Sequence, residues 1–451
     1  MSAPGAAPAL VRTIGRWALA GLVLNGVIGS AIYGLPSVIS GKLGRAAPWA
    51  WLIAAALIGV VLACFAEVAS RFRDAGGPYL YARVTFGRFA GLQTGWMAYL
   101  ARLTASATVA NLFVIYLGEF LPGVTGRSAA AGVLAGLLGG LAAVNYRGVG
   151  LGSGVSSALA IAKLAGLGIF VALGLAWLAG HGAVAAPAPP PGAAPWLEAL
   201  LVLVFAYGGF EAALMPLAEA RDPERDAPVA LFVALAAATL IYSLGQTVVT
   251  LTLPSAAAST RPLADSARIF LGAPGAGFLA VCALLSTFGY LAGGMVNVPR
   301  LTFAMAEQRD LPRAFGAVHQ RFRTPHVSIV AYAAVVWALA ASGSFLQNLT
   351  LSVAARLITY GLVCAALPVL RRRDGRPGAA PPAAFTLPAG RVFAVLGVLG
   401  MVVVATQVKR QELLVMAGVV GLATVHWRAV VAAEQRQRST VNGQRDLPRG
   451  H

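Results

Sequence analysis

Charge is scarce in this chain: 11% of its 451 residues are Asp, Glu, Lys or Arg, against roughly 25% in a soluble globular protein. Cysteine and histidine are scarce as well, at 3 and 5 residues. Cys64, Cys282 and Cys364 sit inside apolar runs with no CxxC or Cys/His spacing, which argues against a disulfide framework or a metal site. The histidines (His181, His319, His326, His426 and His451) are scattered, so no cluster of acids, bases and nucleophiles marks an enzyme. No GxxxxGK[ST] loop is present to cradle a nucleotide triphosphate. No polar stretch is long enough for a separate soluble domain. The net charge of +18 is dispersed between apolar runs rather than gathered on one soluble face, which argues against nucleic acid. No catalytic residue, metal, cofactor or obligate protein partner is expected.

Apolar residues, by contrast, make up 58% of the chain, and the mean hydropathy is +0.75. A bilayer core requires about 20 apolar residues per helix, because only a helix or closed barrel satisfies its own backbone there. The runs are too continuous for barrel strands. They predict an all-α polytopic membrane protein with spans near 17–39, 49–69, 89–121, 129–145, 155–178, 197–218, 229–253, 278–303, 327–341, 354–370, 392–408 and 413–431. The first run is too long for a signal-peptide core and is read as a retained span.

With both termini on one side, 24 basic loop residues fall on that side and 7 on the other. The positive-inside rule then predicts cytoplasmic termini in a multi-pass inner-membrane protein. The expected organisation is a cytoplasmic N-terminus (1–16), a first five-helix repeat (17–180) and an external Pro/Ala-rich linker (181–196). A second five-helix repeat (197–370), a cytoplasmic loop (371–391), two extra helices (392–431) and a polar, unstructured cytoplasmic tail (432–451) complete it.

Two spans are poor continuous helices. The first reads Gly26-Val27-Ile28-Gly29-Ser30-Ala31-Ile32-Tyr33-Gly34-Leu35-Pro36, and the sixth reads Phe205-Ala206-Tyr207-Gly208-Gly209-Phe210-Glu211 followed by Pro216. Glycine and proline both weaken a helix interior. Interrupted helices at equivalent places in two halves point to an inverted-repeat transporter with its site at the midplane. A break in lipid must line a cavity, since its bare backbone has no water there. Free N–H groups on one half-helix and free C=O groups on the other suit a zwitterion: carboxylate on the first, ammonium on the second. The competing reading is that the glycines simply let helices pack closely.

These residues resemble the amino acid–polyamine–organocation (APC) superfamily of permeases. The first span (GVIGSAIYGLP) is similar to its glycine-serine-glycine signature, with Ala31 in place of the last glycine. The stretch FAYGGFEAALMPLAEARDPERDAPVAL and the segment from Ser286 through Pro299-Arg300 to Leu311-Pro312 also fit the family pattern. The resemblance implies a five-plus-five inverted repeat with discontinuous helices 1 and 6, and two extra helices. It implies substrate contacts at Ile28, Gly29, Ser30 and Ala31, and at Phe205, Ala206, Tyr207, Gly208 and Gly209. The expected ligand is a small molecule, an amino acid or amine, and the expected surroundings are the lipid bilayer.

Ionisable residues inside spans are costly and mark function by default. Lys163 is the only mid-span lysine. In proton-coupled members of the resembled family a lysine here replaces sodium, which implies contact with Gly26 and Val27 and with Ser286 and Thr287. The alternative is a permanently charged lysine capping carbonyls. Glu211 either senses protons, gates or binds an amine, or it is a hydrogen-bonded strut. Arg102 and Arg356 face a watery vestibule or pair with Glu211 or Glu119. Tyr33, Phe205, Tyr207, Trp96 and Tyr290 are candidates to shape the pocket, and Tyr33, Arg102, Ser286 and Thr287 to gate it. The run from Glu219 to Pro228 reads as a helix start at Asp222-Pro223. An amino acid transporter, symporting protons or exchanging, is the leading expectation. A polyamine permease and a non-transporting sensor or partner subunit on the same fold are the alternatives.

Overall fold

A computed structural model describes residues 16–72, 77–148, 153–184, 191–213, 223–376 and 380–445. Among them the regular structure is helical throughout. The helices are α1 (Arg16–Val27), α2 (Ala31–Leu43), α3 (Ala47–Ser70), α4 (Gly77–Phe86), α5 (Arg88–Leu117), α6 (Arg127–Tyr146), α7 (Ser153–His181) and α8 (Ala193–Ala206). The short α9 (Phe210–Ala213) follows, then α10 (Pro223–Thr252), α11 (Pro262–Glu307), α12 (His326–Ser342), α13 (Phe345–Arg373), α14 (Gly390–Ala405) and α15 (Arg410–Arg445). Eight helical stretches are long and apolar enough to cross a bilayer, the first running through α2 and α3, and α8, α12 and α14 are shorter apolar helices.

The two glycine-rich spans are broken, at residues 28–30 between α1 and α2 and at 207–209 between α8 and α9. Other boundaries differ from those expected. The span expected at 278–303 belongs to a helix that begins at Pro262 and kinks at Gly272, whose φ of +68° suits glycine. The span expected at 354–370 begins at Phe345, because Ser344 and Gln347 form a reciprocal capping box that fixes the helix start. Helix α15 runs on to Arg445 through a stretch expected to be unstructured; its Ala, Glu, Gln and Arg residues are good helix formers. Of the expected helix start at 219–228, Pro223 opens α10, and residues 219–222 lie outside those described.

Outward faces of α14 and α15 are apolar, with Val395, Leu399, Val402, Leu414 and Val425 exposed, as lipid contact requires. Helices α2, α3, α5 and α13 are the most buried of the long or paired spans. Gln246 of α10 ties three helices together, accepting from Trp51 Nε1 at 2.9 Å and donating to the Pro36 carbonyl at 3.1 Å and to Ser40 Oγ at 2.9 Å.

Two ion-pair clusters bind helix ends at the face where α3 ends and α4 begins, the basic face. Asp310, fully buried, accepts from Arg83 (2.7 Å), Arg88 (2.9 Å) and Tyr79 (2.6 Å). Glu67, also fully buried, takes both forks of Arg371 (2.7 and 2.5 Å) and the Leu387 N–H (2.8 Å). Arg71 lies 3.6 Å from Glu67 and donates to Asp374, whose carboxyl this hydrogen bond holds below its ordinary range. Removing one partner of a buried pair strands the other charge, at about 3–5 kcal/mol. Glu67→Ala is therefore expected to lower stability by about that amount, read by denaturation of the purified protein; a loss under 1 kcal/mol would show that the cluster is solvated. At the opposite face Glu119 pairs with Arg261 at 3.0 Å and accepts a hydrogen bond from Arg268.

Candidate functional site

The site begins with two glycines. Gly26 in α1 and Gly209 in the second break meet backbone to backbone. A Cβ on Gly26 would stand 3.4 Å from the Gly209 carbonyl oxygen, and a Cβ on Gly209 would overlap the Gly26 carbonyl. Gly209 also holds φ at +107°, a conformation that L side chains rarely adopt. Glycine is thus required there by both contact and dihedral.

The carbonyl end of α1 is occupied by side chains from elsewhere. Lys163 of α7 donates to Asn25 O at 2.9 Å and to Ile28 O at 2.5 Å. Tyr242 of α10 donates to Val27 O at 2.9 Å, and Ala206 O lies 3.3 Å away. Ser286 Oγ reaches Gly29 O at 3.4 Å. At the other half, Ser30 stands at the N-cap of α2 and makes no capping side-chain bond, so the first turn of α2 presents N–H groups without a side-chain acceptor. In the second break the Gly209 N–H is already taken, donating to Glu211 Oε2 at 2.7 Å.

A cavity of about 350 Å³ lies against both breaks. Its wall includes Asn25, Gly26, Gly29, Arg102, Ser106, Lys163, Gly209, Ser286, Tyr290, Asn297 and Arg356. A smaller space of about 40 Å³ adjoins it and shares Arg102, Asn297 and Arg356, with Glu211 and Tyr360 added. A closed helix pair needs no such void. A polar cavity at two broken helices is how membrane proteins accommodate bare backbone at depth.

Residues 14–424 match the family model described as amino acid permease. The chain belongs to this family. It is similar to an uncharacterized transporter of Mycobacterium tuberculosis, 28% identical over 93% of this chain and 94% of that one. It is also similar to the serine/threonine exchanger SteT of Bacillus subtilis, 28% identical over 71% of this chain and 74% of that one. A methylthioribose transporter of Bacillus subtilis is 26% identical over 72% of this chain and 74% of its own.

In this permease the structure brings Gly29, Arg102, Lys163, Gly209 and Ser286 together on the cavity wall, with Glu211 on the adjoining space. Ile28, Ser30, Ala31, Ala206 and Tyr207 are buried behind that wall. The Tyr207 ring packs on Trp51 and Tyr242, and its hydroxyl donates to Trp51 O at 2.8 Å. Tyr33 is buried beside Tyr116 rather than on the cavity. Thr287 bonds carbonyls of its own helix, Ala283 O at 2.8 Å and Leu284 O at 3.0 Å. Trp96 packs in the cluster of Tyr79 and Met305.

Arg356 is central. Its guanidinium lies 5.6 Å from the Phe205 ring centroid, crowds Gly208 where a Cβ would stand, and lies 3.9 Å from Glu211. Glu119, an expected partner for the two arginines, is instead held at the far face by Arg261 and Arg268. Residues absent from the expected site are Asn25, Tyr242, Tyr360 and Asn297. A readable sign was available for Tyr242: it opens a polar run (Tyr242-Ser243, Gln246-Thr247) inside an apolar span.

Proposed function

We propose that this permease is a secondary active transporter of amino acids that works by alternating access around the cavity between the two helix breaks. The observation that carries the reading is the contact of Gly26 with Gly209 at the edge of a polar cavity of about 350 Å³. That volume suits one amino acid with some water. The N–H groups at the start of α2 favour a carboxylate by their partial positive charge. The proposed architecture is twelve spans in a five-plus-five inverted repeat with two added helices, both termini cytoplasmic, in the inner membrane. The cavity's share of α11 includes Val296, Asn297 and Val298, toward the basic end of that helix, which fits a conformation open to the cytoplasm.

Lys163 is proposed as the proton-coupling group, since its ammonium donates to the Asn25 and Ile28 carbonyls at the first break. Exchange is the second reading. It is favoured by those same two bonds, which a permanently charged lysine would make equally well, and the Bacillus subtilis relative is named an exchanger. A thermal-shift screen of purified protein against amino acids and amines, followed by proteoliposome uptake with and without a pH gradient, tests both. Stabilisation by an amino acid and uptake into vesicles are expected. Uptake raised by an inward proton gradient supports symport, and uptake only against internal substrate supports exchange. Neither binding nor flux for any amino acid would sink the proposal.

A further inference from the structure

The charges on the cavity do not balance. Arg102, Lys163 and Arg356 are the Asp, Glu, Lys or Arg residues on its wall, and all three are basic. The adjoining space adds one carboxylate, Glu211. We propose that the transported substrate is an acidic amino acid, whose side-chain carboxylate is held by Arg356 and Arg102. This rests on the cavity being the transport site.

Glu211 cannot neutralise the group by itself. It is committed to the Gly209 N–H at 2.7 Å and to the Tyr360 hydroxyl at 3.2 Å, and it meets Arg356 only at 3.9 Å, beyond hydrogen-bond length. Arg356 is 5% exposed, yet its Nε and Nη1 have no hydrogen-bond partner. A buried guanidinium with open donors is costly, and a carboxylate is the geometry its fork is built to hold. Arg102 borders the same space, and its charge bears on Glu211 and Tyr360 without a hydrogen bond to any described residue.

The site is equally unsuited to a second cation. A cationic amino acid would add positive charge to a wall that already has an excess. A neutral zwitterion would leave that excess unchanged. An acidic amino acid brings two carboxylates, one for the N–H groups of α2 and one for the arginines, and reduces it.

The test compares isosteric pairs that differ in charge: glutamate with glutamine, and aspartate with asparagine. Purified wild-type protein in proteoliposomes is assayed by counterflow, with serine and arginine alongside. The acids are expected to be taken up at least about tenfold better than their amides, the order of one charge-assisted hydrogen bond. Amides equal to or better than acids would overturn the acidic-substrate proposal while leaving amino acid transport standing. No counterflow with any of the six would overturn the acidic-substrate proposal, while the transport reading stands or falls on the full amino acid screen. Arg356→Gln and Arg102→Gln are each expected to erase the preference for acid over amide. If Arg356→Gln does not purify, Arg102→Gln decides, since it breaks no hydrogen bond among the described residues. An unchanged preference in Arg102→Gln overturns the assignment of the carboxylate to the arginines.

Discussion

Gly209→Ala is expected to reduce transport at least about a hundredfold, while Gly29→Ala on the opposite wall is expected to retain most of it. Two costs fall on Gly209 together. Its φ of +107° strains any residue with a Cβ. The added methyl would also overlap the Gly26 carbonyl, a backbone atom that cannot rotate aside. Relief comes only by parting the two broken helices, and a misplacement of about 1 Å at a site of this kind costs on the order of a hundredfold in rate. At Gly29 the added methyl would meet the edge of the Tyr290 ring at 3.7 Å, ordinary contact distance. Counterflow in proteoliposomes, normalised to folded protein by size-exclusion profile, measures both. Equal activity in the two variants would show that close approach at the crossing is not needed.

The second large effect is at Lys163. Coupled one-to-one to protons, an inward gradient of one pH unit supports about tenfold accumulation, since one unit corresponds to about 1.36 kcal/mol. Lys163→Ala is expected to bring this to no accumulation, while exchange of labelled for unlabelled substrate continues at a reduced rate. Lys163→Arg separates coupling from mere support. An arginine keeps a donor for Asn25 O and Ile28 O but cannot release its proton. It is expected to restore exchange and thermal stability without restoring accumulation. If Lys163→Ala still accumulates substrate against the gradient as wild type does, the coupling role is wrong. If Lys163→Arg accumulates as wild type does, the lysine serves only as a fixed charge.

The broken helices were legible because their cause is local. Gly29 falls in the break at 28–30 and Gly208-Gly209 in the break at 207–209, while Gly26 lies in α1 and Gly34 and Pro36 lie within α2. The depth of Lys163 was legible for the same reason: a lone lysine in an apolar run has nowhere to be but the interior. The start of α13 was harder. Gln347, Asn348, Thr350 and Ser352 read as too polar for a span, yet Asn348 Nδ2 donates to Leu339 O at 3.1 Å and Ser352 Oγ to Ala101 O at 2.7 Å. With the helix running from Phe345 to Arg373, Arg356 is placed well inside it rather than near its start. The Ser344/Gln347 capping box was the signal present in the sequence. The pairings of Glu67 with Arg371 and of Asp310 with Arg83 were not legible. Each joins residues more than two hundred positions apart, and hydropathy periodicity carries no information about distance between helices.

The Tyr242 hydroxyl, within reach of Val27 O and Ala206 O, has a mechanical meaning. Both interrupted spans hang from one phenol on α10, so neither can swing without tugging the other through it. The three elements then form a single yoke, and under the proposed alternating access the rocking is a motion of that yoke against α5 and α13.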